Sequence, residues 1–559
     1  MSRQIPQGIE GYGFDLIVVG AGINGAGIAR DAAMRGLKTL LLDKGDVSSG
    51  TTMWSTRLIH GGLRYLEYFE VSLVRESLKE REILLRVAPH LVHPLPFFIP
   101  VYEGDRWGPS IAFEYGPASL LQRHNLLLVR LGMIAYDILS YDKSLESHRM
   151  FGREEALAYM PGVNPEGLRG AARYFDAQVE FPERLTVENA VSAREHGAVV
   201  IPYARVDGFL REGDRIRGVE FVDVLSGGRH TARAPVVVNV AGPWVDEVLL
   251  GLDRPSPRLI GGTKGSHIVV EAFPGAPREA IYVRATDGRP YFIVPWNGRY
   301  LIGTTDIHYE GDLDHVVAGD EEIDYLIGET NRVIPAAGLA RGDVLYAYAG
   351  VRPLPYEPGK SAGQITRSHI IRDYAPELEG LISIVGGKIT TYRNLARETV
   401  DMVLKKLGRP DPGCRTQDVP LPGGGEDFEG FAADFKAGSG LGESLASRLL
   451  RIYGVRAPEV LALSEGEPDL RMPLAPDSDV IGAEVLFAFL SELASSLTDF
   501  MMRRSMAGYD SHVGLGVDRA AAEIAGRYLD WDGERIEREV REYREYVRRF
   551  RPRTEIPAA

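Results

Sequence analysis

Six residues near the N-terminus carry the first recognisable chemistry: Gly20-Ala21-Gly22-Ile23-Asn24-Gly25, a G-x-G-x-x-G, with Gly27 just beyond. Alone the pattern is weak in a chain holding 63 glycines. Its flanks strengthen it: it follows an apolar run, opens a helix-forming stretch, and Asp43 ends the next apolar run. In that setting Gly20 allows a tight turn, Gly22 lets backbone approach a pyrophosphate, and Gly25 permits close helix–strand packing. The helix start offers free N–H groups and positive potential to phosphates, and Asp43 can accept hydrogen bonds from an adenosine ribose. The bland alternative is a glycine-rich turn with no ligand. FAD and NAD share the motif, so it does not choose between them.

The elements that must hold this turn are legible around it. Residues 14–20 (FDLIVVG) read as a buried parallel strand, 23–36 as a helix and 37–43 (LKTLLLD) as a second strand, a βαβ opening. Residues 71–87 and 186–196 read as helices, and 198–203, 217–224, 235–240 (PVVVNV) and 381–385 (LISIV) as strands. Residues 94–130 are Pro- and aromatic-rich and read as irregular, 261–310 as an antiparallel sheet, and about 390–407 as a helix. Residues 410–425 hold four Pro and four Gly, a linker, and 426–559 are mostly helix-forming.

The chain has 559 residues, 44% hydrophobic and 25% charged, enough for several domains with a large core. Its net charge of −14 leaves no basic excess for nucleic acid. A single cysteine, Cys414, excludes an internal disulfide framework and a Cys-rich metal site, and fits a reducing compartment. No secretory signal or membrane-spanning run is visible; the longest apolar stretches, 126–136 and 485–497, are interrupted by Arg130 and Glu492.

The segment after Asp43, residues 48–67 (SSGTTMWSTRLIHGGLRYLE), resembles the FAD-dependent glycerol-3-phosphate dehydrogenases of the glycine/D-amino-acid oxidase-like flavoproteins. NVAGPW at 239–244, KGSHIVV at 264–270, IGTTD at 302–306, YAGVRPL at 348–354, ITR at 365–367 and VGGKITTYR at 385–393 extend the likeness. The resemblance implies oxidation of sn-glycerol 3-phosphate to dihydroxyacetone phosphate, with FAD taking the hydride and a quinone the electrons. It implies an α/β fold: a Rossmann-type FAD-binding domain (1–90, 150–260 and 343–408), an antiparallel-sheet substrate domain (91–149 and 261–342), a linker (409–425) and an all-helical C-terminal domain (426–559).

A small dianionic substrate needs converging cations, and Arg suits a phosphate by its bidentate fork. Arg64, Arg352, Arg367 and Lys388 lie in the matched motifs; each alone would be an ordinary solvated charge. Arg352 and Lys388 are also catalytic candidates. Alcohol oxidation needs a base for the hydroxyl proton, and His60 is the first choice, ahead of His267. Tyr65 has two roles open, a hydrogen bond to phosphate or packing beneath the flavin. Lys264, Ser266 and His267 complete the substrate set. Gly386-Gly387 before a helix, with Lys388 and Thr390, would stabilise negative charge on reduced flavin. Lys44, Thr51, Thr52, Ser55, Leu58, His60, Gly62, Gly242 and Trp244 join Gly20, Gly22, Asn24, Gly25 and Asp43 as the cofactor set. Attachment is expected to be non-covalent, and no metal site is expected.

Residues 535–553 place Ile536, Val540, Tyr543, Val547 and Phe550 on one helical face, with a basic end at Arg548, Arg549, Arg551 and Arg553. Two readings stand: a helix packed on its own domain, or one that docks on anionic lipid. Arg503 and Arg504 beside Met501 and Met502 form a second small basic cluster. The expectation is a cytoplasmic enzyme held peripherally at the inner membrane face, with room for a homodimer. The rival readings are an oxidase making hydrogen peroxide and a non-catalytic dinucleotide sensor.

Overall fold

The computed structural model describes residues 5–105, 125–360 and 365–550. The opening βαβ forms as strand Leu16–Val19, helix Ile23–Met34 and strand Thr39–Leu42. These strands sit in a six-stranded sheet ordered Ile370–Asp373, Leu381–Val385, Val236–Asn239, Leu16–Val19, Thr39–Leu42, Val199–Ile201. All neighbours run parallel except the edge strand Ile370–Asp373. Helices Ile23–Met34, Pro182–Glu195 and Tyr392–Leu407 cover one face, and a three-stranded antiparallel layer shares the core of the other. Coverage on both faces is why the central strands are unbroken apolar runs.

A ten-stranded, mostly antiparallel sheet forms the second layer system. Strands Thr263–Val270, Arg299–Gly303, Pro290–Trp296 and Ala280–Arg284 run side by side in it, as the alternating pattern of 261–310 predicts. Ala280–Arg284 then joins Val92–Tyr102 in parallel. Two expectations are corrected here. Residues 94–130 are not irregular throughout: Val92–Tyr102 is a strand and Asn125–Leu139 a helix, while 106–124 lie outside the described residues. Pro94, Pro96 and Pro100 are spaced by even numbers, so the donors they lack fall on one edge of the strand and the other edge stays whole. Strands Leu168–Val179 and Val344–Arg352, whose ranges fall in the expected dinucleotide unit, and Arg149–Gly152, which straddles its 149/150 boundary, pair into this second sheet.

The 410–425 segment is a strap rather than a loose linker. Leu421 N donates to Val87 O at 2.8 Å, Gly423 N to Glu188 Oε2 at 3.0 Å, and Arg30 Nη2 to Val419 O at 2.8 Å. The C-terminal unit is helical from Phe428–Gly438 to Gly533–Tyr546. Its last helix turns its apolar face inward: Val540, Tyr543, Val547 and Phe550 are buried, and the Phe550 ring lies 5.8 Å from those of Trp54 and Tyr346. Phe550 is therefore not an exposed lipid anchor. Arg503 and Arg504 are not a surface cluster either; both are buried and donate to Asp46, at 2.6 Å from Arg503 Nε and 2.7 Å from Arg504 Nη1. Arg551 and Arg553 lie outside the described residues. No helix among the described residues is long and apolar enough to cross a membrane.

Candidate active site

A cavity of about 1490 Å³ opens between the parallel sheet and the antiparallel one. The G-x-G-x-x-G turn forms one end. Gly20 has φ 112°, and a Cβ there would stand 2.7 Å from Val240 O. A Cβ on Gly25 would collide with Gly20 O, so this glycine seats the helix on the strand and does not itself line the cavity. Gly22, the helix N-cap, has only Thr52 Oγ1 near, at 3.4 Å, and leaves room for a ligand. Asp43 accepts from Ala21 N at 2.6 Å and Gly45 N at 2.8 Å. Burial pushes its carboxyl up to about 6, despite those two donors.

Lys44, Thr51, Thr52, Ser55, Leu58, Gly62, Gly242 and Trp244 all line the cavity. The Lys44 ammonium stands 4.6 Å from the Trp244 ring centroid. Asn24 Oδ1 and Trp244 Nε1, both on cavity-lining residues, are buried without a hydrogen-bond partner in the protein. Such orphaned polar atoms beside an open glycine cradle fit a long, polar, phosphate-bearing ligand.

The Gly386-Gly387 turn meets the start of the dinucleotide helix. Gly387 has φ 96° and a Cβ there would lie 2.8 Å from Asn24 Nδ2, so the turn is pressed onto the dinucleotide helix. Gly387, Lys388 and Thr390 line the cavity; Gly386 does not. Thr390 Oγ1 accepts from His60 N at 3.2 Å, which ties the His60 loop to this turn. Lys388 Nζ donates to Ser77 Oγ at 2.7 Å, and burial pulls its pKa down to about 8.

His60 lines the cavity with its ring edge-on to Phe292. Burial lowers its pKa to about 4, against the pull of Asp176, so the imidazole is neutral at pH 7. His267 also lines the cavity, but it is stacked on Tyr348 at 4.9 Å and shares a hydrogen bond with Thr56 Oγ1 at 2.9 Å. Burial, with Arg352 and Arg57 nearby, drives its pKa well below 6.5.

Arg64, Tyr65, Arg352 and Arg367, the three arginines bearing electrostatically on Tyr65, line the same cavity as His60. Lys264 and Ser266 do not: Lys264 Nζ pairs with Glu322 Oε2 at 2.7 Å, and Ser266 Oγ donates to Glu322 Oε1 at 2.8 Å. Strand alternation is the reason. Gly265 and His267 face the cavity, so the residues at even numbers face away. Reading the sequence missed Asp306, Thr304, Thr56 and Phe292, all cavity-lining. Asp306 was within sight, as the last residue of IGTTD.

A βαβ glycine turn, a second glycine turn and a neutral histidine among guanidinium groups define a flavin-type oxidoreductase site. Residues 15–393 match the family model of FAD dependent oxidoreductases, and residues 414–536 match the C-terminal domain of alpha-glycerophosphate oxidase. A glycerol-3-phosphate dehydrogenase of Synechocystis is 47% identical, over 98% of both chains. Glycerol-3-phosphate dehydrogenase 2 of Mycobacterium tuberculosis is 35% identical, over 95% of this chain and 87% of that one. The solved glycerol-3-phosphate dehydrogenase of Bacillus halodurans, complexed with FAD, superposes with a TM-score of 0.78 at 28% identity, covering 98% of this chain and 97% of that one. The chain belongs to the glycerol-3-phosphate dehydrogenase family of FAD-dependent oxidoreductases.

Proposed function

We propose that the chain oxidises sn-glycerol 3-phosphate to dihydroxyacetone phosphate and passes the electrons to a membrane quinone. The observation that carries the reading is the convergence of Arg64, Arg352, Arg367, Lys388 and neutral His60 on the cavity that holds the dinucleotide turn. FAD, when bound, supplies the acceptor for the substrate's hydride. Gly20, Gly22, Asp43 and the Gly387 turn would hold it. The arginines bind and orient the phosphate, which fixes the carbinol carbon relative to the cofactor. An imidazole nitrogen of His60 takes the hydroxyl proton as the C–H bond breaks. Lys388, on the cavity wall, would favour negative charge on a reduced flavin held beside it. Cys414 is absent from the cavity lining and hydrogen-bonds with Thr416, which supports non-covalent attachment.

Anaerobic mixing with glycerol 3-phosphate is expected to bleach the flavin, and uncharged glycerol to do so far more weakly. No bleaching by any phosphorylated alcohol would overturn the assignment. Stopped-flow reoxidation separates the acceptors: a quinone analogue should outpace oxygen.

The membrane side of the reading finds support away from the C-terminal helix. Helix Asn125–Leu139 exposes Leu127, Leu131, Ile134 and Ile138 along one stripe, and Tyr141 continues it at 79% exposure. Phe69 and Val71 are also exposed, just beyond the Arg64–Tyr65 segment of the cavity wall. The inner face of the same helix reaches the site: Tyr136 Oη accepts from Gly61 N at 3.0 Å. An exposed apolar stripe with Arg130 beside it, backed by the substrate loop, suits a bilayer surface from which a quinone is drawn.

A further inference from the structure

We propose that Asp306 is the positioning residue that makes Arg352 and Arg367 a single clamp for the anionic group of the substrate. The two arginines come from unrelated segments. Arg352 ends strand Val344–Arg352, and Arg367 lies outside the named strands and helices, between that strand and Ile370–Asp373. Asp306 follows strand Arg299–Gly303 and reaches both: Arg352 Nη1 donates to Oδ1 at 3.0 Å, and Arg367 Nη2 donates to Oδ2 at 3.0 Å. The side chains are 26%, 14% and 14% exposed for Arg352, Arg367 and Asp306, so little solvent screens them.

The arrangement is held from behind. Arg352 Nη2 also donates to Thr304 Oγ1 at 3.0 Å and Thr305 O at 3.2 Å. Arg289 Nη1 donates to the backbone carbonyl of Asp306 at 3.3 Å. Arg64 also bears electrostatically on the Asp306 carboxyl, helping Arg352 and Arg367 hold it below the usual carboxylate range. Without a carboxylate between them, two buried guanidiniums would repel and turn apart. With it, the guanidiniums of Arg352 and Arg367 share one carboxylate and keep a net positive charge between them. That suits a phosphate monoester, which carries about −1.5 to −2 at neutral pH.

Asparagine is the informative replacement. Its amide replaces one carboxylate oxygen by an NH2 group, whose two donors cannot accept from a guanidinium. One arginine therefore keeps its hold and the other loses it. The proposal rests on the cavity being a phosphate-ester site, so two readouts are needed on wild-type and Asp306→Asn holoenzyme. In flavin reduction by glycerol 3-phosphate, the variant should show KM raised about tenfold or more, with the saturating rate held within about threefold. In equilibrium dialysis, inorganic phosphate should bind more weakly by a similar factor. Asp306→Glu, which keeps both acceptors, should recover most of the phosphate affinity. Unchanged KM and phosphate affinity in Asp306→Asn would overturn the proposal. So would a fall in flavin content that accounts for the whole loss in both variants. A wild type that binds phosphate but is not bleached by glycerol 3-phosphate would overturn the substrate reading instead, and the dialysis arm would still decide the role of Asp306.

Discussion

The Lys388 ammonium stands 4.6 Å from the centre of the Tyr65 ring, a cation over an aromatic face at the wall of the cavity. It donates to a hydroxyl, Ser77 Oγ, at 2.7 Å. A cation seated on a π face and a hydroxyl keeps more of its attraction for an arriving anion than one locked in a carboxylate pair. The same burial that seats it makes its proton easier to lose.

That burial sets a pH profile. His60 must be neutral to accept a proton, and its pKa is lowered to about 4. Lys388 must be charged, and its pKa is lowered to about 8. The kcat/KM for flavin reduction, which reports groups of the free enzyme, should therefore stay flat from about pH 5 to 7 and fall above pH 8 once the substrate phosphate's own ionisation is divided out, with the acid limb near 4 rather than 6.5. Stopped-flow traces across that range check it; an acid limb centred near 6.5 would remove His60 as the base.

Gly22→Val should strip the cofactor. A bare Cβ meets only Thr52 Oγ1 at 3.4 Å, but the two further carbons of valine would fill the cradle where backbone meets pyrophosphate. The purified variant should be colourless while keeping wild-type far-UV circular dichroism. A yellow, stoichiometric flavoprotein would place the pyrophosphate elsewhere.

Arg352→Ala should retain FAD and lose substrate affinity. Removing one charged partner of a phosphate costs about 2–4 kcal/mol, or roughly 30- to 1,000-fold in kcat/KM. Activity toward uncharged glycerol should change little. An equal fall for both substrates would mean that Arg352 serves the flavin.

Asp46→Ala should destabilise the whole chain. Arg504 would be left as a buried, uncompensated cation and Arg503 would keep only Asp499, a loss of about 3–5 kcal/mol in thermal or denaturant unfolding. Although burial opposes ionisation, the two arginines hold the Asp46 carboxyl below its ordinary range. Its contribution is thus present above the unfolded-state pKa of about 3.9 and is lost as pH falls through the folded value. Wild type and variant should converge in stability at strongly acid pH.

Leu131→Glu and Ile138→Glu should loosen vesicle binding while leaving flavin reduction by substrate intact. Each removes an exposed apolar side chain whose burial is worth about 1.5–3 kcal/mol, roughly tenfold or more in partitioning. Co-sedimentation with anionic vesicles measures it. Wild-type partitioning in both variants would place the docking surface elsewhere.

Local signals in the sequence determined much of this protein. The βαβ opening, the strand LISIV at 381–385, the helix Val71–Val87 and the helical C-terminal region follow from periodicity and glycine placement, which act over a few residues. The glycine turns and the clustering of His60, Arg64, Arg352, Arg367 and Lys388 on one cavity were legible because all of them lie in the short motifs that carry the family resemblance. What tertiary structure alone decided lies in facing and partnership. Strand register turned Lys264 and Ser266 away from the cavity and His267 into it. A carboxylate many residues from either arginine joined Arg352 to Arg367. The apolar face of the last helix was spent on Trp54 and Tyr346, so Phe550 went inside while the stripe on Asn125–Leu139 stayed out. Helical amphipathicity specifies that one face will be buried, but not against what; that depends on which surfaces the rest of the chain leaves uncovered.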